Sequence, residues 1–271
     1  MAKAKRVVII SDLHCGHRAG LTPPAWHYRI TNEEEAAAFQ KWAIVQKECW
    51  DWYRSTMSKL RPIDVLIVNG DCIDGTGRRS GGTELVTTDR DVQCQMACKC
   101  LQVAKAKKVL MVRGTPYHTG EEEDMENHIA RTLPADKIGD HEWYNINGVT
   151  FDVKHFIGSS TIPHGRVTAL LRDQLWNRLW AMTDQQPEAD IMVRSHVHYA
   201  VFAGGHFNGR LKVAMTTPAL QSHGSKYGAK KCSGLVDFGI TYIDIDAKGN
   251  YSCPSVITAN LPHMAASALV V

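Results

Sequence analysis

Val7-Val8-Ile9-Ile10-Ser11-Asp12-Leu13-His14 is a short apolar run that ends on a carboxylate and an imidazole. The pattern returns three times. Val65-Leu66-Ile67-Val68 leads into Gly70-Asp71 and Asp74, Val109-Leu110-Met111-Val112 into Gly114-Thr115-Pro116-Tyr117-His118, and Ile191-Met192-Val193 into His196 and His198. Each run is aliphatic or β-branched, three or four residues long and closed by a polar or glycine turn, which predicts a strand of an α/β sheet buried on both faces. In such sheets ligands bind beyond the carboxyl ends of the strands. Asp and His at four such ends therefore point to chemistry.

Two divalent ions roughly 3.5 to 4 Å apart can activate a water, polarise a phosphoryl oxygen and neutralise the leaving oxygen. Such a pair needs neutral imidazoles together with anionic oxygens, one of them able to bridge. Asp12-Leu13-His14 and His196-Val197-His198 each set two donors around one apolar residue, so in an extended segment both donors face the same way. Asp71 follows Gly70, whose conformational freedom lets the chain leave its strand sharply. That position suits a bridging carboxylate.

The ordered series Asp12-x-His14, Gly70-Asp71-x-x-Asp74, the turn at Gly114, His155 after Phe151-Asp152-Val153-Lys154, and Ser195-His196-x-His198 resembles the five blocks of the calcineurin-like metallophosphoesterases, over residues 6–200. The resemblance implies a four-layer α/β/β/α sandwich of two mixed β-sheets flanked by helices. It also implies that Asp12, His14 and His198 hold one ion, that His155 and His196 hold the other, and that Asp71 bridges. Manganese is favoured over iron or zinc. The stretches 84–90, 114–120 and 217–221 further resemble phosphoesterases of bacteriophages and prophages, a weaker likeness.

The third block departs from the family's Gly-Asn-His. Thr115 stands in the Asn position, a hydroxyl being a weaker ligand than a carboxamide, and the imidazole comes three residues later, after Pro116 has constrained the turn. Two readings stay open: Thr115 coordinates weakly while His118 is the general acid, or His118 is itself a ligand. The acid role is preferred.

With 271 residues, 44% hydrophobic and 22% charged, the composition predicts one globular domain over 1–271, with C-terminal strands to about 258 and a short tail. The formal charge of +3 is too small to argue for nucleic acid from the global field. Neither the basic opening nor the tail is long enough to read as a signal or a span, so a cytoplasmic protein with no membrane contact and with reduced thiols is expected. Cys94, Cys98 and Cys100 form no CxxC pair and are expected to pack a helix. Cys15 and Cys72 are expected to turn away from the metals.

Residues 31–60 predict a long amphipathic helix that opens on Thr31-Asn32 and packs Phe39, Trp42, Trp50, Tyr53, Met57 and Leu60, ending before Pro62. Residues 167–182 predict a second helix packed through Leu170, Leu171, Leu175, Leu179 and Met182. Asp74 is expected to hydrogen-bond behind the ligands. Of the loop histidines, His17 is the one expected to line the site. Arg78 and Arg79, in a glycine-rich loop after the second strand, suit substrate phosphate, the other reading being a solvated insert with no substrate role. Lys226, Lys230 and Lys231 form a smaller basic cluster, and the run from Glu121 to Asp124 is expected to charge a helix start. The reaction expected is hydrolysis of a phosphodiester, nucleotide or nucleic acid (DNA or RNA), by a water activated at a dinuclear centre. A phosphomonoesterase is the alternative, and a non-catalytic metal-binding scaffold is the alternative of another class.

Overall fold

The apolar runs become strands because each is covered twice. In β1 (Lys5–Ile10), Val8 and Ile10 face a layer of helices while Val7 and Ile9 face a second sheet. The computed structural model describes residues 3–30, 33–78, 80–120, 124–207, 209–225, 234–261, 264 and 268. Arg79, Thr31, Asn32, the acids 121–123, the lysines 226, 230 and 231, and nearly all of the tail lie outside them.

After β1 come α1 (Glu33–Leu60), β2 (Val65–Asn69), α2 (Arg90–Gln102), β3 (Lys108–Val112), α3 (Pro116–Thr119), α4 (Met125–Thr132) and β4 (Lys137–Gly139). Next are β5 (His141–Ile146), β6 (Val149–Lys154), α5 (Thr168–Met182), β7 (Ile191–Arg194), β8 (Val201–Phe207) and β9 (Arg210–Thr216), and the chain closes with β10 (Gly239–Ile245) and β11 (Ser255–Thr258). One sheet has the order β11-β10-β1-β2-β3-β4, with β1 to β4 parallel. The other runs β5-β6-β7-β9-β8, parallel through β6, β7 and β9 with antiparallel edges. Both sheets are mixed and helices flank them, the α/β/β/α architecture expected.

Three apolar clusters record the layers. Between the sheets, Val7, Ile9, Val65 and Ile67 meet Phe151, Val153, Ile191 and Val193. On the outer face of the first sheet, Trp42, Cys49, Tyr53 and Met57 of α1 pack with Cys94, Cys98 and Cys100 of α2 and Ile129 of α4. In α1 the spacings of seven and four put Trp42, Cys49, Tyr53 and Met57 on one side of the helix. Cys15 and Cys72 are buried in the same cluster. On the outer face of the second sheet Leu170 is the one apolar residue of α5 that is buried, among Ile157, Met192 and Ala214. Here the sequence expectation needs correcting: Leu171, Leu175, Leu179 and Met182, with Trp176 and Trp180, are between 43% and 81% exposed. Periodicity shows that a helix has an apolar face but not that the chain itself covers it. Among the described residues no helix is long and apolar enough to cross a membrane.

Candidate metal centre

Beyond β1, β2 and β7 the backbone turns left-handed at the polar residues themselves. Of nine non-glycine residues with positive φ among those described, five are Asp12 (52°), His14 (45°), Asp71 (53°), His196 (71°) and His198 (57°). The expected extended Asp-x-His and His-x-His segments are therefore corrected: the donors converge through left-handed kinks. Each such residue costs on the order of 1–3 kcal/mol and persists only where its surroundings over-determine it. Here the Asp12 N–H donates to the Gly70 carbonyl (2.9 Å) and the His14 N–H to that of Asp71 (3.0 Å), extending the β1–β2 pairing past the strands, while Leu13 is buried in the core. Gly70 (φ 80°) is needed for space as well, since a Cβ there would lie 2.5 Å from His155 Nδ1.

These turns gather two sets of donors. Asp12, His14 and His198 form one, and Asp71, His155 and His196 the other. Asp12 Oδ1 lies 3.2 Å from His198 Nε2 and 3.9 Å from His14 Nε2, and the last two are 3.3 Å apart. Asp71 Oδ2 lies 3.1 Å from His155 Nε2 and 4.0 Å from both His196 Nδ1 and His14 Nε2. Ligands at bond lengths of about 2.1 Å stand roughly 3 to 3.5 Å apart around one ion, so these edges fit metal polyhedra with little adjustment. Asp12 Oδ1 and His155 Nε2, 3.9 Å apart, connect the sets; both are buried, and the ionisable neighbours each has, at 3.2 and 3.1 Å, make no aligned hydrogen bond with it. A buried polar atom left unpaired is costly. Two such atoms of opposite character facing one another, in a mixed oxygen and nitrogen set, fit a cation as the missing partner.

The far nitrogens of the imidazoles are fixed from outside. His14 Nδ1–H donates to Asp74 Oδ1 (3.0 Å), His155 Nδ1–H to the Asn69 carbonyl (2.7 Å) and His118 Nδ1–H to the Asp74 carbonyl (3.0 Å), which leaves Nε2 to face inward. Burial alone would push the Asp12 and Asp71 carboxyls up, but His198 beside Asp12 and His155 beside Asp71 outweigh it and hold both below the usual range. His155, in turn, is raised to about 10: the field of Asp71, then Asp12, overcomes its burial. The two carboxylates thus demand positive charge at the centre. His118, which groups with His14 and Asp71, is lowered to about 4 by burial and then by the His14 ring, whose centroid is 4.5 Å away. Burial thus favours its neutral form.

In the third block Thr115 precedes α3, and its backbone N–H donates to Asp71 Oδ1 (2.6 Å) while its hydroxyl lies 3.2 Å from both Asp71 Oδ2 and His196 Nδ1. Gly114 admits no side chain: a Cβ would lie 2.1 Å from Asp71 Oδ1. Sequence reasoning missed Glu126, which is fully buried on α4 and accepts from the Cys72 N–H (2.8 Å) and the Gly114 N–H (2.6 Å), fastening together the two loops that carry Asp71 and Thr115. Burial pushes its carboxyl up to about 7 against the pull of the Cys72 N–H. The folded chain therefore holds an extra proton between about pH 4.5 and 7, and this residue's contribution to stability falls as pH rises through that window. Glu126→Ala leaves two N–H groups without acceptors and is expected to cost ~2–4 kcal/mol in urea unfolding of the metal-free protein. The same variant should flatten the pH dependence of stability between pH 4.5 and 7.

A chain of side chains also missed lies behind the ligands. Asn69 Nδ2 donates to Ser195 Oγ (2.7 Å), Ser195 Oγ meets Thr217 Oγ1 (2.7 Å), and Thr217 Oγ1 meets Ser11 Oγ (2.8 Å), joining the ends of both sheets. No local pattern marks it. His17, expected to line the site, joins neither donor set: its Nδ1 accepts from the Ala19 N–H and its Nε2 is 3.9 Å from Glu84. Arg78 stands at a cavity beside His118, and Arg79 is outside the described residues.

Compared with known proteins, the chain matches no family model and no curated sequence. Among solved structures it is similar to an archaeal phosphodiesterase at 13% identity and TM-score 0.40, covering 93% of this chain and 99% of that one. A metallophosphoesterase from Sphaerobacter thermophilus aligns at 11% identity and TM-score 0.39, over 94% and 89% of the two chains. Vps29 from Entamoeba histolytica, determined with zinc, aligns at 13% and 0.38, over 93% and 98%. Similarity at this level assigns no chemistry, which rests on the side chains above.

Proposed function

We propose that this chain hydrolyses phosphate esters with two divalent ions, and that its substrates are phosphodiesters of the nucleotide or nucleic-acid class. The observation that supports this most is the pair of buried atoms without an aligned hydrogen bond, Asp12 Oδ1 and His155 Nε2, facing one another from two three-donor groups. Asp12, His14 and His198 would hold one ion, His155 and His196 the other, and Asp71, within 4.0 Å of donors from both groups, would serve the two. When bound, such a pair supplies an activated water and neutralises the charge that develops on the phosphoryl and leaving oxygens. The chain's own part is to fix the donors. Asp74 and the Asn69 carbonyl orient His14 and His155, the Thr115 N–H steadies Asp71, and Glu126 ties Gly114 to Cys72. His118 would meet the centre as a neutral imidazole through Nε2, acting as a ligand where Thr115 replaces the family's Asn. The mixed nitrogen and oxygen set suits manganese, iron or zinc. Manganese is the ion we propose. Phe156, 57% exposed with its ring 4.9 Å from that of His196, offers an organic ester a flat apolar wall.

Metal analysis and a substrate panel test the reading together. The purified protein is expected to bind two ions per chain, to lose thermal stability on chelation because binding favours the folded state, and to hydrolyse bis(p-nitrophenyl) phosphate faster than p-nitrophenyl phosphate. A preference for the monoester would make it a phosphatase. Two bound ions without turnover of any ester would leave a scaffold.

A further inference from the structure

Next to His118 a cavity of about 60 Å³ opens between the glycine-rich loop, the start of α2 and the α3 turn, with Thr76, Arg78, Arg90, Tyr117 and His118 in its wall. Resting on the reading above, we infer that this cavity is a second phosphate subsite, holding the phosphate next to the one hydrolysed and so selecting a nucleotide chain over an isolated ester. Among the described residues its wall contains two guanidinium groups, a hydroxyl and a phenol but no carboxylate. Guanidinium forks match phosphate oxygens. Arg90 is the first residue of α2, where the helix dipole disfavours a cation, so its position costs the helix some stability.

The wall is built rather than loose. Gln93, fully buried on α2, accepts from the Gly75 N–H and donates to the Gly75 and Thr87 carbonyls, each at 2.8 Å, which fastens the loop bearing Arg78 to the helix bearing Arg90. Gly75 (φ 73°) lets that loop lie against α3, since a Cβ would stand 2.5 Å from the His118 carbonyl oxygen. His118 is common to the cavity and to the donor group with His14 and Asp71. His118 therefore borders both an anion in the cavity and the donor group of the proposed metal centre.

The test compares the p-nitrophenyl ester of thymidine 5′-phosphate with and without a 3′-phosphate, on the metal-loaded protein. The added phosphate is expected to lower KM roughly tenfold, the scale of one charged hydrogen-bonding contact. Arg90→Ala should bring the two KM values together, and Arg90→Lys should keep part of the difference. Equal KM values in the native protein, or a ratio untouched by Arg90→Ala, overturns the subsite. If no diester is hydrolysed, the metal-centre reading has failed separately. Calorimetric binding of thymidine 3′,5′-bisphosphate against thymidine 5′-phosphate then carries the test, with the same ratio expected, and equal affinities overturn it.

Discussion

Asp71→Asn is expected to lose at least one of the two metal ions and on the order of 10³-fold in diester hydrolysis, the equivalent of several kcal/mol of charge stabilisation. The carboxamide has nearly the shape of the carboxylate and can still accept the Thr115 N–H at one oxygen. What it lacks is the anionic oxygen that faces His14, His155 and His196 from within 4.0 Å. Without that charge, two dications at close range repel one another uncompensated. Metal content by elemental analysis and rate on bis(p-nitrophenyl) phosphate read the two effects. Two tightly held ions in Asp71→Asn would remove Asp71 from the shared position.

His118→Ala is expected to reduce metal content and to slow good and poor leaving groups alike, by roughly 10²- to 10⁴-fold. The geometry favours this over the acid role preferred from sequence: the ring groups with His14 and Asp71, and burial holds its pKa down, to about 4, toward the neutral form that a ligand needs. A general acid must carry a proton that it can give up, and its loss would spare a nitrophenolate, which needs none. Rates on an alkyl and a nitrophenyl ester, measured beside metal stoichiometry, separate the two roles. Full metal content with a loss confined to the alkyl ester would restore His118 as the acid.

Much of the centre could be read from the chain because burial on both faces forces β1, β2 and β7 into uninterrupted apolar runs, which makes their ends conspicuous. Asp12, His14, Asp71, His196 and His198 sit at those ends. His155 follows β6, whose Thr150, Asp152 and Lys154 break any such run, and only the family resemblance marked it. What could not be read is how they converge. Left-handed backbone at aspartate and histidine has no local signature, so the sequence suggested extended segments where the structure has kinks. Glu126 was invisible for a different reason: its partners are backbone N–H groups 54 and 12 residues away. Likewise the exposed row on α5 has the period of a packed helix, and period alone does not say what lies opposite.

The order of the strands has a consequence for how the chain is made. The second sheet, β5 to β9, is inserted between β4 and β10 of the first. As the polypeptide emerges from the ribosome, Asp12, His14 and Asp71 appear early, yet the imidazoles that complete the two donor groups come only with His155, His196 and His198. The free edge of β1 then waits for β10, more than two hundred residues downstream in the register Lys5 to Ile245. Domains fold as units once their segments are available. A nascent chain halted between residues 71 and 155 therefore carries Asp12 and Asp71 but neither complete donor set, and the hydrolysis proposed above would have to await His198 and the strands that follow it.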